Sequence, residues 1–351
     1  MSDIRDLRSD TAIQPTVAMI DGLRGMHFAD DLLGEDTATN TLLARLSDAF
    51  GMESAIITPS GTMSNQIAAA VISRPGAEVI VGDASHIYNL EAGGLAANSG
   101  VQVRAVPAER GEYPVNEIEA ALRSRTLQVS ATSGIFLEST YNLNAGHVTS
   151  LENLAAIREV ADRHGVFVYL DGARVFNAAI ALDVPLQEIT RHVDAVQICL
   201  NKGLGGPLGS VLVGSAEFID EARLVRQRLG GGMRHTGFIA APGLLALEDW
   251  RERMARDHEH AQVLQDALDA SPQVRVVNGP VETNIVTFEV QGTDAQVADV
   301  EARLVRAGVH VKPVGHHRFR AVTHSTLSRE DIEFCAATIV ESVAQIGRAH
   351  V

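Results

Sequence analysis

An α/β fold, with a mostly parallel sheet covered by helices on both faces, is what this 351-residue sequence predicts. Three observations carry that expectation. Short apolar runs alternate with helix-period segments through the first part of the chain. Two of those runs end in polar, glycine-bearing segments, and an open α/β sheet binds its ligands beyond the carboxyl ends of its strands. After Gly237 the pattern changes to a long charged helical stretch, followed by a smaller set of strands and helices.

The elements follow in order. The run Ala55-Ile56-Ile57-Thr58 predicts a strand over Ser54–Thr58, and Ser60-Gly61-Thr62 behind it reads as a strand-to-helix turn opening a helix that covers 65–72. Apolar runs predict strands at Glu78–Gly82, Gln102–Val106 and 133–137. The helix-period segment Leu151–His164 precedes Val166-Phe167-Val168-Tyr169-Leu170, the core of a strand over 167–170. Strands over 195–200 and Ser210–Gly214 bring the number to seven. A helical stretch over 238–270, interrupted by Pro242, leads into strands at 274–277, 284–290, 309–313 and 319–322 and helices at 294–307 and 328–346. A large domain over 1–245 and a smaller α+β domain over 246–351 are therefore expected, the latter of about 100 residues, a usual domain size. No internal repeat or low-complexity linker is found.

Composition narrows the function. Hydrophobic residues make up 46% of the chain, enough for a sizeable core. A formal net charge of −15 argues against nucleic acid or an anionic membrane as partner, since either needs a basic face. Two cysteines, Cys199 and Cys335, make no disulfide framework and suit a reducing compartment. The start, Met1-Ser2-Asp3-Ile4-Arg5-Asp6, lacks the basic and apolar regions of a signal peptide, and no run of about 18 apolar residues exists to span a bilayer. The expectation is a cytoplasmic protein acting on a small molecule.

Two strand ends carry the chemistry. Asp171, in Asp171-Gly172-Ala173-Arg174, follows five apolar residues, so its carboxylate is buried and needs a partner. A protonated pyridine nitrogen is such a partner, and the pairing keeps the ring an electron sink; an N-cap aspartate has the same sequence appearance. Lys202 lies 31 residues further on, beside Gly203, Gly205 and Gly206, where a lysine in an apolar setting serves as a Schiff-base nucleophile. Anion for a pyridinium and amine for an aldehyde together point to pyridoxal phosphate (PLP). Ser60-Gly61-Thr62 at a helix start offers amides and hydroxyls to a phosphate, or a plain N-cap. His86 follows a strand and could stack on a planar cofactor, or be a structural or solvated histidine. Arg174 has three readings: a bond to the cofactor phenolate, a bond to a substrate carboxylate, or neutralisation of Asp171. Arg320, inside a strand, suits bidentate capture of a carboxylate, or faces solvent. His258-Glu259-His260 lacks the i,i+4 spacing of helical zinc sites and reads as a solvated helix face; His316-His317 reads as loop, and no metal is expected.

These residues resemble the L-threonine aldolases, within the fold type I PLP enzymes that include the β-eliminating lyases. The resemblance runs through Asp6-Leu7-Arg8-Ser9-Asp10-Thr11, Gly34-Glu35-Asp36, Pro59-Ser60-Gly61-Thr62 and Glu91-Ala92-Gly93-Gly94. It is strongest in Asp171-Gly172-Ala173-Arg174-Val175-Phe176-Asn177-Ala178, Lys202-Gly203-Leu204-Gly205 and Gly230-Gly231-Gly232-Met233-Arg234. It implies an aspartate aminotransferase-like large domain with a mostly parallel seven-stranded sheet, plus a smaller α+β C-terminal domain. It also implies that Lys202 carries PLP, Asp171 pairs with the ring nitrogen and His86 stacks on the ring and serves as a candidate base. Gly61 and Thr62 would hold the phosphate with Arg234 of a neighbouring subunit, and Ser9, Arg174 and Arg320 the substrate α-carboxylate. The implied reaction is reversible cleavage of a β-hydroxy-α-amino acid to glycine and an aldehyde, in a homodimer or homotetramer with shared sites.

Departures from the family pattern cluster around the β-substituent. The tyrosine usual before Gly-Glu/Asp-Asp is Leu33, and the loop 123–128 lacks the histidine often found there. Glu138-Ser139-Thr140-Tyr141 replaces Glu-Asn-Thr-His, Asn201 replaces the serine before the lysine, and Gln227 stands where a lysine is usual. These changes suggest a substrate other than threonine. The alternative is a β-eliminating or β-replacing lyase acting on a cysteine- or serine-type amino acid.

Overall fold

The computed structural model describes residues 4–277 and 279–346; the outer ends of the two expected domains lie outside the described residues. A short strand β1 (Arg5–Asp6) precedes the main sheet. That sheet comprises β2 (Ser54–Thr58), β3 (Glu78–Gly82), β4 (Gln102–Val106), β5 (Thr132–Glu138), β6 (Phe167–Asp171), β7 (Ala195–Cys199) and β8 (Ser210–Gly214). The strand order is β2-β8-β7-β6-β5-β3-β4. Only β8 runs antiparallel to its neighbours, while β4, β3, β5, β6 and β7 are mutually parallel. All seven expected strands are present, with bounds shifted by a residue or so.

Alternation along the strands splits the core into two layers, because successive side chains point to opposite faces. Ile57, Ile80, Ile135 and Val168 pack with Leu42, Leu46, Leu154 and Ile157 from the helices Thr37–Phe50 and Leu151–His164. Ile56, Val79, Val81, Phe136 and Tyr169 pack on the other face with Ile67 and Phe218 from the helices Gly61–Ile72 and Ala216–Arg228. The helices 37–50 and 216–228 were not among the sequence expectations. Ser60 caps the helix Gly61–Ile72 by accepting from the Met63 amide at 3.2 Å. This cap fixes the helix start at the carboxyl edge of the sheet.

The smaller unit is an antiparallel sheet of β9 (Val274–Val276), β10 (Ile285–Val290), β12 (Lys312–Gly315) and β13 (Arg318–Val322), in the order β12-β13-β10-β9. The expected strand 309–313 is split: β11 (Val309–His310) pairs instead in parallel with β1. Leu7 is thereby buried in the small unit's core, and its carbonyl accepts from the Val322 amide at 2.7 Å. The stretch 238–270 forms two helices, Gly237–Ala246 and Trp250–Asp269. Pro242 lies inside the first, and the break comes at Asp249, whose φ of 49° ends helical geometry. The second helix joins the two units, with Met254 in the large core and Ala261, Leu264 and Leu268 in the small one.

Candidate active site

The carboxyl ends of β5, β6 and β7 and the start of the helix Gly61–Ile72 surround one cavity. Gly61, Thr62, His86, Asp171, Arg174 and Lys202 all line it, together with Asn65, Glu138, Thr140, Asn142 and Gln197. Asp171 ends β6 and is 4% exposed. Its Oδ1 accepts from the Gln197 side-chain amide and from the Ala173 N–H at 3.1 Å. Its Oδ2 accepts from Asn65 Nδ2 at 2.8 Å. A carboxylate has roughly four acceptor positions, so one remains, on Oδ2. The N-cap reading of Asp171 is thus incomplete: it holds one turn amide, but side chains from a helix and another strand fix it over the cavity.

A second carboxylate organises the same wall. Glu91 Oε1 accepts from Asn65 Nδ2 at 2.7 Å and lies 2.9 Å from His86 Nδ1, while Oε2 accepts from Gln66 at 2.7 Å. The hydrogen bond to Glu91 raises the His86 pKa above its ordinary 6.5; burial opposes it and the Asp171 charge adds to it. With Nδ1 committed to Glu91, Nε2 is the free ring nitrogen. Glu138 accepts the His86 amide at 2.6 Å on Oε2 and the Asn142 amide at 2.9 Å on Oε1. Burial, then the neighbouring Asp171 charge, pushes the Glu138 carboxyl up.

Beyond this wall lies an arginine cluster. Arg174 grips Asp10 through Nε and Nη2 at 2.8 and 2.7 Å, with both side chains buried. Burial works against the Asp10 charge, yet the Arg174 guanidinium holds this carboxyl well below its usual range. Arg320, on β13, is 5% exposed and donates to Asn142 Oδ1 at 2.8 Å and to the Arg8 carbonyl at 3.1 Å. The solvent-facing reading of Arg320 is therefore wrong: its strand turns it inward against β1's end. Arg174 resolves the same way, since its acidic partner is Asp10 and not Asp171. Ser9 serves its own turn, accepting from the Thr11 amide at 3.3 Å and lying 3.3 Å from Asp10 Oδ1.

The remaining expectations fall outside the cavity. Arg234 pairs with Asp30 at 2.9 Å on the surface and does not line its own chain's cavity. Leu33 is 69% exposed. Tyr141 is buried away from the site, its hydroxyl accepting from the Ala84 amide at 3.0 Å. His258 is not on a solvated face: burial lowers its pKa to about 4, and its Nε2 lies 3.1 Å from Asn177 Nδ2; only Glu259 of the three is exposed. His316 and His317, in the β12–β13 turn, both contact Asp294 Oδ1, at 3.0 and 2.8 Å. Asn65, Gln197, Asn142 and Glu91 do site work that the sequence did not single out. For Asn65 a signal existed, since it stands four residues after Gly61 and so on the same helix face.

The lining fits PLP. Asp171 keeps an open acceptor position, and Lys202 has no acidic partner within ion-pair distance among the described residues. Thr140 Oγ1 is buried on the cavity wall without a partner. A Cβ at Gly61 would sit 2.8 Å from Cys199 Sγ, so only glycine lets the helix start pack this closely on β7.

A family model described as beta-eliminating lyase matches residues 6–293. The chain is 40% identical over 335 residues to the probable low-specificity L-threonine aldolase 2 of Arabidopsis thaliana, covering 94% of both chains. It is 33% identical over 336 residues to the low specificity L-threonine aldolase of Escherichia coli strain K12, covering 95% of this chain and 97% of that one. The solved Leishmania major threonine aldolase shares the fold, with a TM-score of 0.82 at 20% identity, covering 96% of this chain and 99% of that one. The chain belongs to the beta-eliminating lyase family and has the fold type I architecture.

Proposed function

We propose that this member of the beta-eliminating lyase family is a PLP-dependent aldehyde-lyase that reversibly cleaves a β-hydroxy-α-amino acid to glycine and an aldehyde. The observation that carries this reading is one cavity holding Asp171, Lys202 and a His86 whose Nδ1 is committed to Glu91. Its relatives, named as low-specificity threonine aldolases, support it. When bound, PLP supplies the sink for the electron pair left at Cα.

The chain's own residues do the rest. Lys202 would hold PLP through its side-chain amine. Asp171, fixed by Asn65 and Gln197, keeps the ring nitrogen protonated. Gly61 and Thr62 would hold the phosphate, completed by Arg234 of a neighbouring subunit, which would make the active form a homodimer or homotetramer. Ser9, Arg174 and Arg320 receive the α-carboxylate. His86 takes the β-hydroxyl proton at Nε2, directly or through water, as Cα–Cβ breaks. Leu33 and the loop 123–128 lie outside this chain's own cavity, so they would reach the β-substituent only from a neighbouring subunit, where their lack of polar groups favours a larger or less polar substrate.

The test is product identification with L-threonine, L-allo-threonine and phenylserine. Glycine and the matching aldehyde are expected, with phenylserine the better substrate. No glycine from any of the three, with PLP bound, overturns the reading. Pyruvate or another keto acid released from serine- or cysteine-type substrates would favour a β-eliminating or β-replacing activity instead.

A further inference from the structure

The Arg174 and Arg320 guanidiniums meet at one atom. Asn142 Oδ1 accepts from Arg174 Nη1 at 3.2 Å and from Arg320 Nη1 at 2.8 Å. The orientation of this amide is forced, because turning it would set its NH2 against two donors. The Asn142 backbone is pinned in turn, its N–H donating to Glu138 at 2.9 Å, and the residue lines the cavity.

The charges around this joint do not cancel. Of the two guanidiniums only Arg174 has a carboxylate in ion-pair contact, Asp10, and it takes both oxygens. Arg320 has no acidic partner within ion-pair distance among the described residues, and its Nε is buried with no hydrogen-bond partner. Burial, then repulsion from Arg174, lowers its guanidinium to about 10, so it remains a cation at neutral pH. Lys312, on β12, feels the same field, its pKa lowered by burial and then by Arg320 and Arg174. An uncompensated buried charge is costly unless a counter-ion arrives.

We infer that Asn142 is a specificity-determining residue: a neutral joint that holds both guanidiniums in place while leaving one positive charge unspent, for a ligand carrying one carboxylate. An acid here would bind the two arginines more tightly and consume the charge the ligand needs. A neutral acceptor gives placement without neutralisation. The inference rests on the site taking an amino acid on PLP, and not on which bond the enzyme then breaks.

The test compares a carboxylate ligand with one lacking it. Holoenzyme is titrated with glycine and with 2-aminoethanol, following the cofactor's visible absorbance without turnover. Asn142→Asp should weaken glycine by about tenfold or more, the cost of a lost charge complement, while 2-aminoethanol stays near its wild-type affinity. Asn142→Ser, neutral but smaller, should keep most of the preference for glycine. If Asn142→Asp weakens both ligands equally, or neither, the inference fails. It also fails if Asn142→Ser loses the preference as completely as Asn142→Asp. Should Asn142→Asp not fold, the Asn142→Ser titration alone decides, since a lost preference in a neutral variant excludes charge as the cause. Absence of cleavage with intact glycine binding would count against the proposed reaction and leave the role of Asn142 standing.

Discussion

At the Asp171 wall, Asn65, Gln197 and Glu91 find their partners within the chain. Asn65 bridges Asp171 and Glu91 and accepts from the Tyr169 hydroxyl at 2.8 Å, Gln197 is seated by the Ser210 hydroxyl at 2.8 Å, and Glu91 holds three side chains. The rim carrying residues 28–34 and 234–238 is built on other terms. Phe28 stacks on Phe238 with ring centroids 4.0 Å apart, yet Phe238 is half exposed, Leu33 is exposed, and Arg234 makes only a surface ion pair. Exposed ion pairs of that kind contribute little. The wall needs nothing further to be rigid, whereas the rim has apolar surface and a cation with little to do in a single chain. On the proposed reading, the ring end of the cofactor belongs to one chain and the phosphate end to a boundary between two.

Three experiments break or sharpen that contrast. The largest effect is expected at the wall: Lys202→Ala should remove the visible absorbance of bound PLP and lower cleavage by about three orders of magnitude, read by spectrophotometry and glycine release. An unchanged spectrum would remove Lys202 from its role.

Next comes Arg226, beneath the rim. It is 1% exposed, donates to the Ile57 carbonyl at 2.8 Å and pairs with Asp31 at 2.9 Å, so it ties the segment bearing Leu33 to β2. Arg226→Met would strand a buried carboxylate and should cost about 3–5 kcal/mol in chemical denaturation. A loss below about 1 kcal/mol, the exposed-pair range, would show the rim to be looser than its burial implies.

The smallest effect is a pH shift. On the proposed reading cleavage requires neutral His86, so the rate should rise as pH climbs through the raised His86 pKa, placing the acid limb above 6.5. Glu91→Gln removes the main cause of that shift and should move the limb to lower pH. A limb that stays put in the kcat profile would take His86 off the proton path.

The sheet was legible because strands buried on both faces appear as unbroken apolar runs, and Asp171 and Lys202 stood out as charges ending such runs. Asn65, Gln197 and Asn142 were not legible. Amides in helices and strands have many ordinary uses, and only the juxtaposition of β5, β6, β7 and the helix Gly61–Ile72 gives these their shared task. Asp10 was visible as a motif member, but its partner lies 164 residues away, a pairing set by tertiary structure. His258 was misread for a related reason. Its neighbour Glu259 is solvated, while the helix Trp250–Asp269 presents the adjoining face to the Asn177 side chain.

The pairing of β1 with β11 has a consequence for the order of assembly. Arg5 bonds to the Gly308 carbonyl, and Arg8 and Arg320, joined by a hydrogen bond, stand 312 residues apart. On the ribosome that interval takes roughly 15–60 seconds at ordinary elongation rates. Throughout it Leu7 has no core to enter, and Asp10 lacks the docking that holds it against Arg174. β1 thus emerges long before the strand it pairs with, and the arginine cluster closes only once β13 has been made.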